Sequence, residues 1–143
     1  MTTALNGLKV LDFSTLLPGP FATMYLADMG AEVIHIESPS RPDLIRIMPP
    51  YANGQATAHS YLNRNKQSIV LDLKDAASID LIKDKISEFD VVIEQFRPDV
   101  MRRLGLDYAT LAEINPRLIY CSITGYGQTG SYKDRAGHDI NYL

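Results

Sequence analysis

A histidine in a glycine-rich stretch near residue 140 is the clearest candidate for acid–base chemistry. His138 follows the glycine-studded segment 125–137 and precedes Asp139, at the predicted start of a helix. A helix N-terminus lowers the affinity of a histidine for a proton, which suits a general base near neutral pH. The position of His138 therefore makes it a candidate catalytic base.

The other histidines and the one cysteine point to no metal site and no nucleophilic triad. His35 alternates with isoleucines in a predicted strand, which is typical of a structural or exposed strand residue. His59 has no partner at metal-ligand spacing. Cys121 and Ser122 lie inside a predicted strand without a nucleophile-elbow motif.

The composition is that of one globular domain covering residues 1–143, with 45% hydrophobic and 22% charged residues. No apolar run is long enough to span a membrane, and the first residues do not form a secretory signal. With one cysteine and no signal, a reducing, cytoplasmic location is expected. A net charge of −3 argues against a nucleic-acid partner.

Positive charge is concentrated in two places. A basic segment follows the second apolar run, over residues 38–74, and Arg97, Arg102 and Arg103 interrupt an otherwise acidic stretch. Such clusters are compatible with solvated helix faces. They also fit a binding site for a phosphate-bearing small molecule.

The elements that must position these residues alternate between strand and helix. An α/β fold with a mostly parallel, Rossmann-like sheet flanked by helices is expected. A proline-rich segment, 38–57, is predicted to be a long irregular loop, and 140–143 to begin a helix. The predicted strands are 8–13, 32–37, 68–72, 90–94 and 118–123, and the predicted helices are 21–29, 76–89, 98–104 and 108–114.

Ligands of parallel sheets bind where the loops at the carboxyl ends of the strands converge. The informative loops are 16–20, 38–46, 95–103 and 124–138. The first reads Leu-Leu-Pro-Gly-Pro and lacks the G-x-G-x-x-G fingerprint, which argues against an NAD enzyme. The helix start behind Pro20 is nevertheless expected to offer N–H groups to a phosphate or a carbonyl oxygen.

A series of short motifs along essentially the whole chain resembles the family III CoA-transferases, the group that also holds the α-methylacyl-CoA racemases. The motifs, in order, are Leu5–Phe13, Pro18–Pro20, Leu26–Ile34, Asn63–Ser68, Leu71–Lys74, Glu94–Pro98, Leu104–Leu106, Asn115–Ile119, Gly125–Gly130 and Gly137–Leu143.

The resemblance implies a domain that binds coenzyme A without a dinucleotide fingerprint, with a CoA thioester as substrate and no metal or redox cofactor. It also implies an interlocked homodimer of longer chains, of which residues 1–143 would be the N-terminal part. Arg103 and Lys74 would neutralise phosphates, Phe96 would pack against adenine or pantetheine, and Arg41 would stack on adenine. The residues implied to contact CoA are Leu16, Leu17, Pro18, Arg41, Leu71, Lys74, Gln95, Phe96, Arg97 and Arg103.

The same resemblance leaves three activities open. The sequence Gly137–Tyr142 matches the motif that supplies one base of the racemases, which favours α-proton exchange of a 2-methylacyl-CoA through an enolate, with His138 as one base. The alternative is a transferase that moves CoA between carboxylic acids. In both branches an essential aspartate is expected beyond Leu143. The third alternative is a non-catalytic CoA-binding fragment.

Overall fold

The elements of the structure, a computed structural model, alternate between strand and helix as predicted; residues 3–141 are described. In chain order they are β1 (Lys9–Asp12), α1 (Pro18–Asp28), β2 (Glu32–Glu37), β3 (Tyr51–Ala52), β4 (Gln55–Ala56), α2 (Thr57–Leu62), β5 (Gln67–Val70), α3 (Ala76–Lys85), β6 (Val91–Glu94), α4 (Val100–Leu104), α5 (Tyr108–Ile114) and β7 (Ile119–Ser122). Short 3₁₀ turns occur at Leu44–Ile47, Ile86–Glu88 and Asp139–Asn141.

Five parallel strands form the main sheet, in the order β5-β2-β1-β6-β7. Leu11 of β1 lies opposite Ile34 of β2 on one side and Val92 of β6 on the other. The chain builds outward from β1 in one direction and then returns to build outward in the other. The loops that follow β1 and β6 therefore diverge at the centre of the sheet, which is where ligands bind in such folds. The predicted α/β, Rossmann-like fold is confirmed.

Apolar residues on both faces of the sheet build the core. Successive side chains of a strand point to opposite faces, so Leu11 and Val92 pack on one face with Ile82 and Leu111 from the helices. Val10 and its neighbours pack on the other face, against the α1 side of the sheet. Both faces of the central strands are covered, as parallel sheets require.

Three predicted helix boundaries differ from the structure by two or more residues, for local reasons. Helix α1 begins at Pro18 rather than at residue 21, because the fixed φ of proline suits the first helical position. Helix α4 begins at Val100, two residues after Pro98, because Asp99 takes a left-handed conformation with φ 65°. The predicted helix 76–89 ends at Lys85 and tightens into the 3₁₀ turn Ile86–Glu88.

The prediction of an irregular loop over residues 38–57 is wrong in part. The segment holds the Leu44–Ile47 turn and the β3–β4 hairpin, and it leads directly into α2. The buried side chain of Ile45 packs with Met24 of α1 and Leu62 of α2, which anchors the segment to the domain.

The predicted helix at 140–143 corresponds to the Asp139–Asn141 turn, and residues 142 and 143 lie outside the described residues. No helix in the described part of the chain is long and apolar enough to cross a membrane.

Candidate functional site

The loop between β1 and α1, residues 13–17, is held in a strained conformation at the centre of the carboxyl edge. Leu16 has φ 63°, a left-handed backbone that is rare for a leucine. Its N–H donates to Oδ2 of Asp43 at 3.0 Å. Asp43 is buried and also accepts the N–H of Ile45 at 3.1 Å, so its carboxylate is fixed on both sides. Strained residues kept in place by such contacts are often found at functional sites.

Gln95, one of the residues implied to contact CoA, joins the loop after β6 to the loop after β1. Its Nε2 donates to the carbonyl of Thr15, and its Oε1 accepts the N–H of Gly19 at 3.3 Å. The two loops that diverge at the centre of the sheet are thus tied together by one amide side chain.

The start of α1 offers fewer backbone donors than the sequence suggested. Pro18 and Pro20 have no N–H, and the N–H of Phe21 donates to the carbonyl of Leu17 at 2.9 Å. The N–H of Gly19 remains, and it faces Gln95. Of the several N–H groups that were expected, one therefore remains. A ligand that accepts a hydrogen bond from it would share this N–H with Gln95 or replace Gln95 as its acceptor.

Gly19 is required by close packing. A Cβ at this position would lie 2.1 Å from Cβ and 2.3 Å from Oγ of Ser14, which is fully buried. The first turn of α1 therefore lies directly against the start of the β1–α1 loop.

A buried polar cluster lies beneath this loop. Asp12, at the carboxyl end of β1, is fully buried and accepts hydrogen bonds from the N–H and Oγ of Ser14 and from Oγ1 of Thr23. Lys66 Nζ is 3.6 Å and His35 Nδ1 is 3.5 Å from Asp12 Oδ2. Burial acts to raise the pKa of Asp12, but His35 and the two hydroxyl groups outweigh it, so the pKa lies below its usual value.

A second carboxylate, Glu37, ends β2 and accepts hydrogen bonds from one cationic and one polar side chain. The Arg46 guanidinium donates to both of its oxygens, and Oγ of Ser68 donates to Oε1. The hydrogen bonds from Arg46 lower the pKa of Glu37 to about 2. Arg46 also lines a polar cavity of about 390 Å³ with His59, whose pKa is lowered by burial.

A third buried carboxylate, Glu94, ends β6 and accepts the N–H of Phe96 at 2.8 Å. Burial raises the pKa of Glu94. Phe96 is half-buried, and together with Leu71 it packs against the core cluster that contains Leu11. Two of the residues implied to contact CoA are therefore also anchored to the core.

Exposed cations surround the same edge of the sheet. Arg41, Lys74 and Arg97 follow the carboxyl ends of β2, β5 and β6, and Arg103 lies in α4. All four side chains are exposed, and within residues 3–141 none of them forms an ion pair with a carboxylate. Leu16, Leu17 and Pro18 present exposed side chains to the same region.

His138 is exposed, and its backbone N–H donates to Oδ1 of Asn141 at 2.9 Å. Among the described residues no hydrogen bond joins its imidazole to the β1–α1 loop. The same part of the chain contains no group of three or more histidine, cysteine or acidic residues that could hold a metal ion.

Sequence reasoning missed the residues that support the β1–α1 loop from below and from the side. Asp12, Glu37 and Glu94 each end an apolar strand, and this repeated pattern could have marked them. Lys66 lies inside the motif Asn63–Ser68, to which no role was attached. His35 is buried in the cluster, which agrees with the structural alternative.

Comparisons with known proteins agree with this architecture. The chain is 46% identical over 136 residues to succinyl-CoA:glutarate CoA-transferase of Homo sapiens, covering 94% of this chain and 31% of that protein. It is 43% identical over 141 residues to alpha-methylacyl-CoA racemase of Homo sapiens, covering 98% of this chain and 33% of that protein. The chain thus spans about a third of the length of these curated relatives.

A crystal structure of a CAIB/BAIF family protein from Brucella suis superposes with a TM-score of 0.91 at 42% identity, covering 98% of this chain and 38% of that one. The family model described as CoA-transferase family III matches residues 5–143. With the parallel sheet, the loops at its carboxyl edge and these matches in agreement, the chain belongs to CoA-transferase family III.

Proposed function

We propose that residues 1–143 are the N-terminal part of an acyl-CoA enzyme and bind the CoA portion of its thioester substrate across the carboxyl edge of the sheet. The observation that carries this proposal is the set of exposed cations without carboxylate partners in the described chain, three of which follow the carboxyl ends of β2, β5 and β6 while the fourth lies in α4. A CoA molecule carries several phosphate charges and would supply the missing partners.

The proposed arrangement gives each residue a task. Lys74, Arg97 and Arg103 neutralise phosphates, and an arginine fork can bind two phosphate oxygens at once. The side chains of Leu71 and Phe96 are anchored to the core and leave part of their surface for adenine or pantetheine. Arg41 stacks on the adenine, and Leu16, Leu17, Pro18 and Gln95 line the path of the thioester arm.

For the reaction, we propose α-proton exchange of a 2-methylacyl-CoA, with His138 as one of two bases. The support is the motif Gly137–Tyr142. A thioester carbonyl acidifies its α-proton, and the enolate oxygen that develops needs hydrogen-bond donors. The N–H of Gly19 is one such donor at this edge. Inversion needs a second base on the opposite face of the α-carbon, because one base alone returns the proton to the side from which it came.

A second candidate is CoA transfer between carboxylic acids. It is favoured by the relatives named as transferases, among them a succinate–glutarate CoA-transferase of Agrobacterium fabrum at 46% identity and an acetyl-CoA:oxalate CoA-transferase of Acetobacter aceti at 46%. In this reaction an enzyme carboxylate attacks the donor thioester and forms an acyl-enzyme anhydride, and CoA leaves as thiolate. His138 would then have a packing or hydrogen-bonding role.

CoA binding is tested first, by isothermal titration of the intact protein with CoA. Replacing Arg103 by alanine is expected to weaken CoA binding by about tenfold, the value of one charge-assisted phosphate contact. Arg117→Ala is the matched control: Arg117 is also exposed, but it precedes β7 and so lies toward the opposite edge of the sheet. Equal weakening by both substitutions, or by neither, would contradict the proposed site.

The reaction is tested by two assays on the intact protein. Incubation of 2-methyldecanoyl-CoA in D₂O should replace the α-proton by deuterium, as followed by proton NMR, and His138→Ala should abolish or slow this replacement. Unchanged deuteration in that variant would exclude His138 as a base. Formation of glutaryl-CoA from succinyl-CoA and glutarate, without α-deuteration, would favour the transferase.

The oligomeric state and the cellular location stay predictions. A homodimer would be recognised by light scattering of the intact protein at the twofold mass. A cytoplasmic location would be recognised by cell fractionation.

A further inference from the structure

The buried pair of Lys66 and Asp12 lies between three segments of the chain that the carboxyl edge depends on. The side chains of Lys66 and Asp12 are 1% and 0% exposed, and Nζ of Lys66 lies 3.6 Å from Oδ2 of Asp12. Nζ also donates to the carbonyl of Pro20 at 3.0 Å and to Oδ1 of Asn63 at 3.0 Å. Nζ thus has two hydrogen-bond acceptors, on α1 and on the segment that leads to β5, and an ion-pair partner on β1.

Asp12 connects the same ion pair to the β1–α1 loop and to α1. It accepts the N–H and Oγ of Ser14, at the beginning of the β1–α1 loop, and Oγ1 of Thr23, in the second turn of α1. With Lys66 bound to Pro20, both ends of the segment 15–19 are attached to one buried ion pair. That segment contains Gly19, the backbone donor that faces Gln95.

Stability alone explains such a pair poorly. Burying an ammonium and a carboxylate costs several kcal/mol per ion, and apolar residues of similar volume often do as well or better. Burial lowers the pKa of Lys66, while Asp12 acts in the opposite direction. Each member of this ion pair is hydrogen-bonded to fixed neighbours, Lys66 to Pro20 and Asn63, and Asp12 to Ser14 and Thr23. Such an ion pair provides fixed geometry, which an apolar pair of side chains in the same place does not.

We infer that Lys66, through its contacts with Asp12 and Pro20, is a positioning residue that sets the place of the β1–α1 loop and of the Gly19 N–H relative to the substrate. This inference rests on the proposed function, because the loop is the part of that site which meets the thioester. Lys66 itself is inaccessible and touches no substrate.

The test compares Lys66→Met with a variant that weakens the fold elsewhere. Methionine has nearly the length of lysine but neither its charge nor its donors. Asn115→Ala removes two buried hydrogen bonds, from Nδ2 to the carbonyls of Ile86 and Phe89, at a place that does not contact the loop. Both variants are expected to lower the melting temperature, so stability alone does not separate them.

Turnover and CoA affinity do separate them. Both variants are assayed well below their melting temperatures, in whichever of the two reactions above the wild-type protein catalyses. Lys66→Met should lower kcat by about 10- to 100-fold, as a misplacement of a substrate-positioning group by about 1 Å does. Its dissociation constant for CoA should change much less than kcat, because Lys74, Arg97 and Arg103, the residues proposed to bind the phosphates, do not contact Lys66. Asn115→Ala should keep both values. Equal kcat in wild type and Lys66→Met, per folded molecule, would overturn the inference.

A readout independent of activity separates this inference from the proposed function. In hydrogen exchange followed by mass spectrometry, peptides covering residues 13–21 should exchange faster in Lys66→Met than in wild type, and not in Asn115→Ala. If Lys66→Met raised the exchange rate equally in all peptides of the chain, a positioning role would be refuted. A wild-type protein that fails to bind CoA would instead refute the proposed function and leave the exchange result standing.

A double variant tests the inference in case Lys66→Met alone does not fold. Removing Lys66 leaves the Asp12 carboxylate buried with less compensation, whereas Asp12→Asn combined with Lys66→Met removes both charges. The double variant should fold and should show the same loss of kcat. A double variant with wild-type kcat would overturn the inference.

Discussion

Replacing Gly19 by alanine tests the close contact between the first turn of α1 and the β1–α1 loop. In an unobstructed helix this substitution is favourable by up to about 1 kcal/mol, because alanine loses less backbone entropy. Here the new Cβ would lie 2.1 Å from Cβ of Ser14, whereas carbon atoms in contact are normally separated by about 3.5–4.0 Å. Ser14 is fully buried and bonded to Asp12, so it has little room to withdraw.

The expected cost follows from these distances. A movement of about 1.5 Å is needed in a packed region, and overpacking of this kind costs about 1–3 kcal/mol. Net of the helix preference, Gly19→Ala should lower the free energy of unfolding by about 1 kcal/mol. That corresponds to a fall in Tm of about 2–4 °C. Urea unfolding followed by circular dichroism measures the change directly.

A double-variant cycle with Ser14→Gly shows whether the contact is the cause. Ser14→Gly removes the two atoms nearest to the new Cβ and leaves Oε1 of Gln95 at 2.9 Å, at the end of a side chain that can shift. In that background Gly19→Ala should therefore be neutral or stabilising. The coupling free energy between the two positions should then be about 1–2 kcal/mol. The same destabilisation in both backgrounds would refute the steric reasoning.

Three further predictions concern other positions. Arg46→Met should reduce stability by about 1–2 kcal/mol above pH 4.5, because the folded-state pKa of Glu37 is lowered from 4.5 to about 2, and the deficit should shrink as the pH falls from 4.5 toward 2; urea unfolding at a series of pH values checks this, and a deficit independent of pH would contradict it. Asn115→Ala should cost about 2–3 kcal/mol, because two buried carbonyls lose their donor; a loss below about 0.5 kcal/mol in urea unfolding would contradict it. Leu16→Gly should leave stability nearly unchanged, because relief of the left-handed backbone at φ 63° offsets the added freedom of the unfolded chain. Leu17→Gly, where φ is −112°, should cost about 1 kcal/mol, and equal melting temperatures for the two variants would contradict the proposed strain.

The strands and most of the helices could be predicted because their signals are local. Apolar runs such as 91–93, bounded by Asp90 and Glu94, mark buried parallel strands whatever their neighbours are. Helix and strand alternation then limits the topology to a parallel sheet. The loops that form the candidate site follow from that topology, since the carboxyl ends of the strands share one edge.

The supporting contacts could not be predicted, because they join residues far apart in sequence. Lys66 meets Asp12 only after β5 is placed beside β2, and nothing near Lys66 in the sequence indicates a buried carboxylate. The segment 38–57 was misjudged for a related reason: its prolines indicate irregular backbone, whereas contacts of Ile45 with α1 and α2 order it. Asp99 adopts a left-handed conformation, which could not be predicted because the residue is not a glycine.

The two prolines in the first turn of α1 affect how an anion reaches this edge. A helix start rich in N–H groups would hold a phosphate at one fixed place, as in the phosphate-binding loops of nucleotide enzymes. With Pro18 and Pro20 in the first turn, the proposed CoA site depends for its attraction on long exposed side chains such as Lys74 and Arg103. An anionic molecule would then be attracted by exposed side-chain charges and not by a preformed set of backbone N–H groups. Its association rate should fall steeply as added salt shortens the Debye length below about 10 Å.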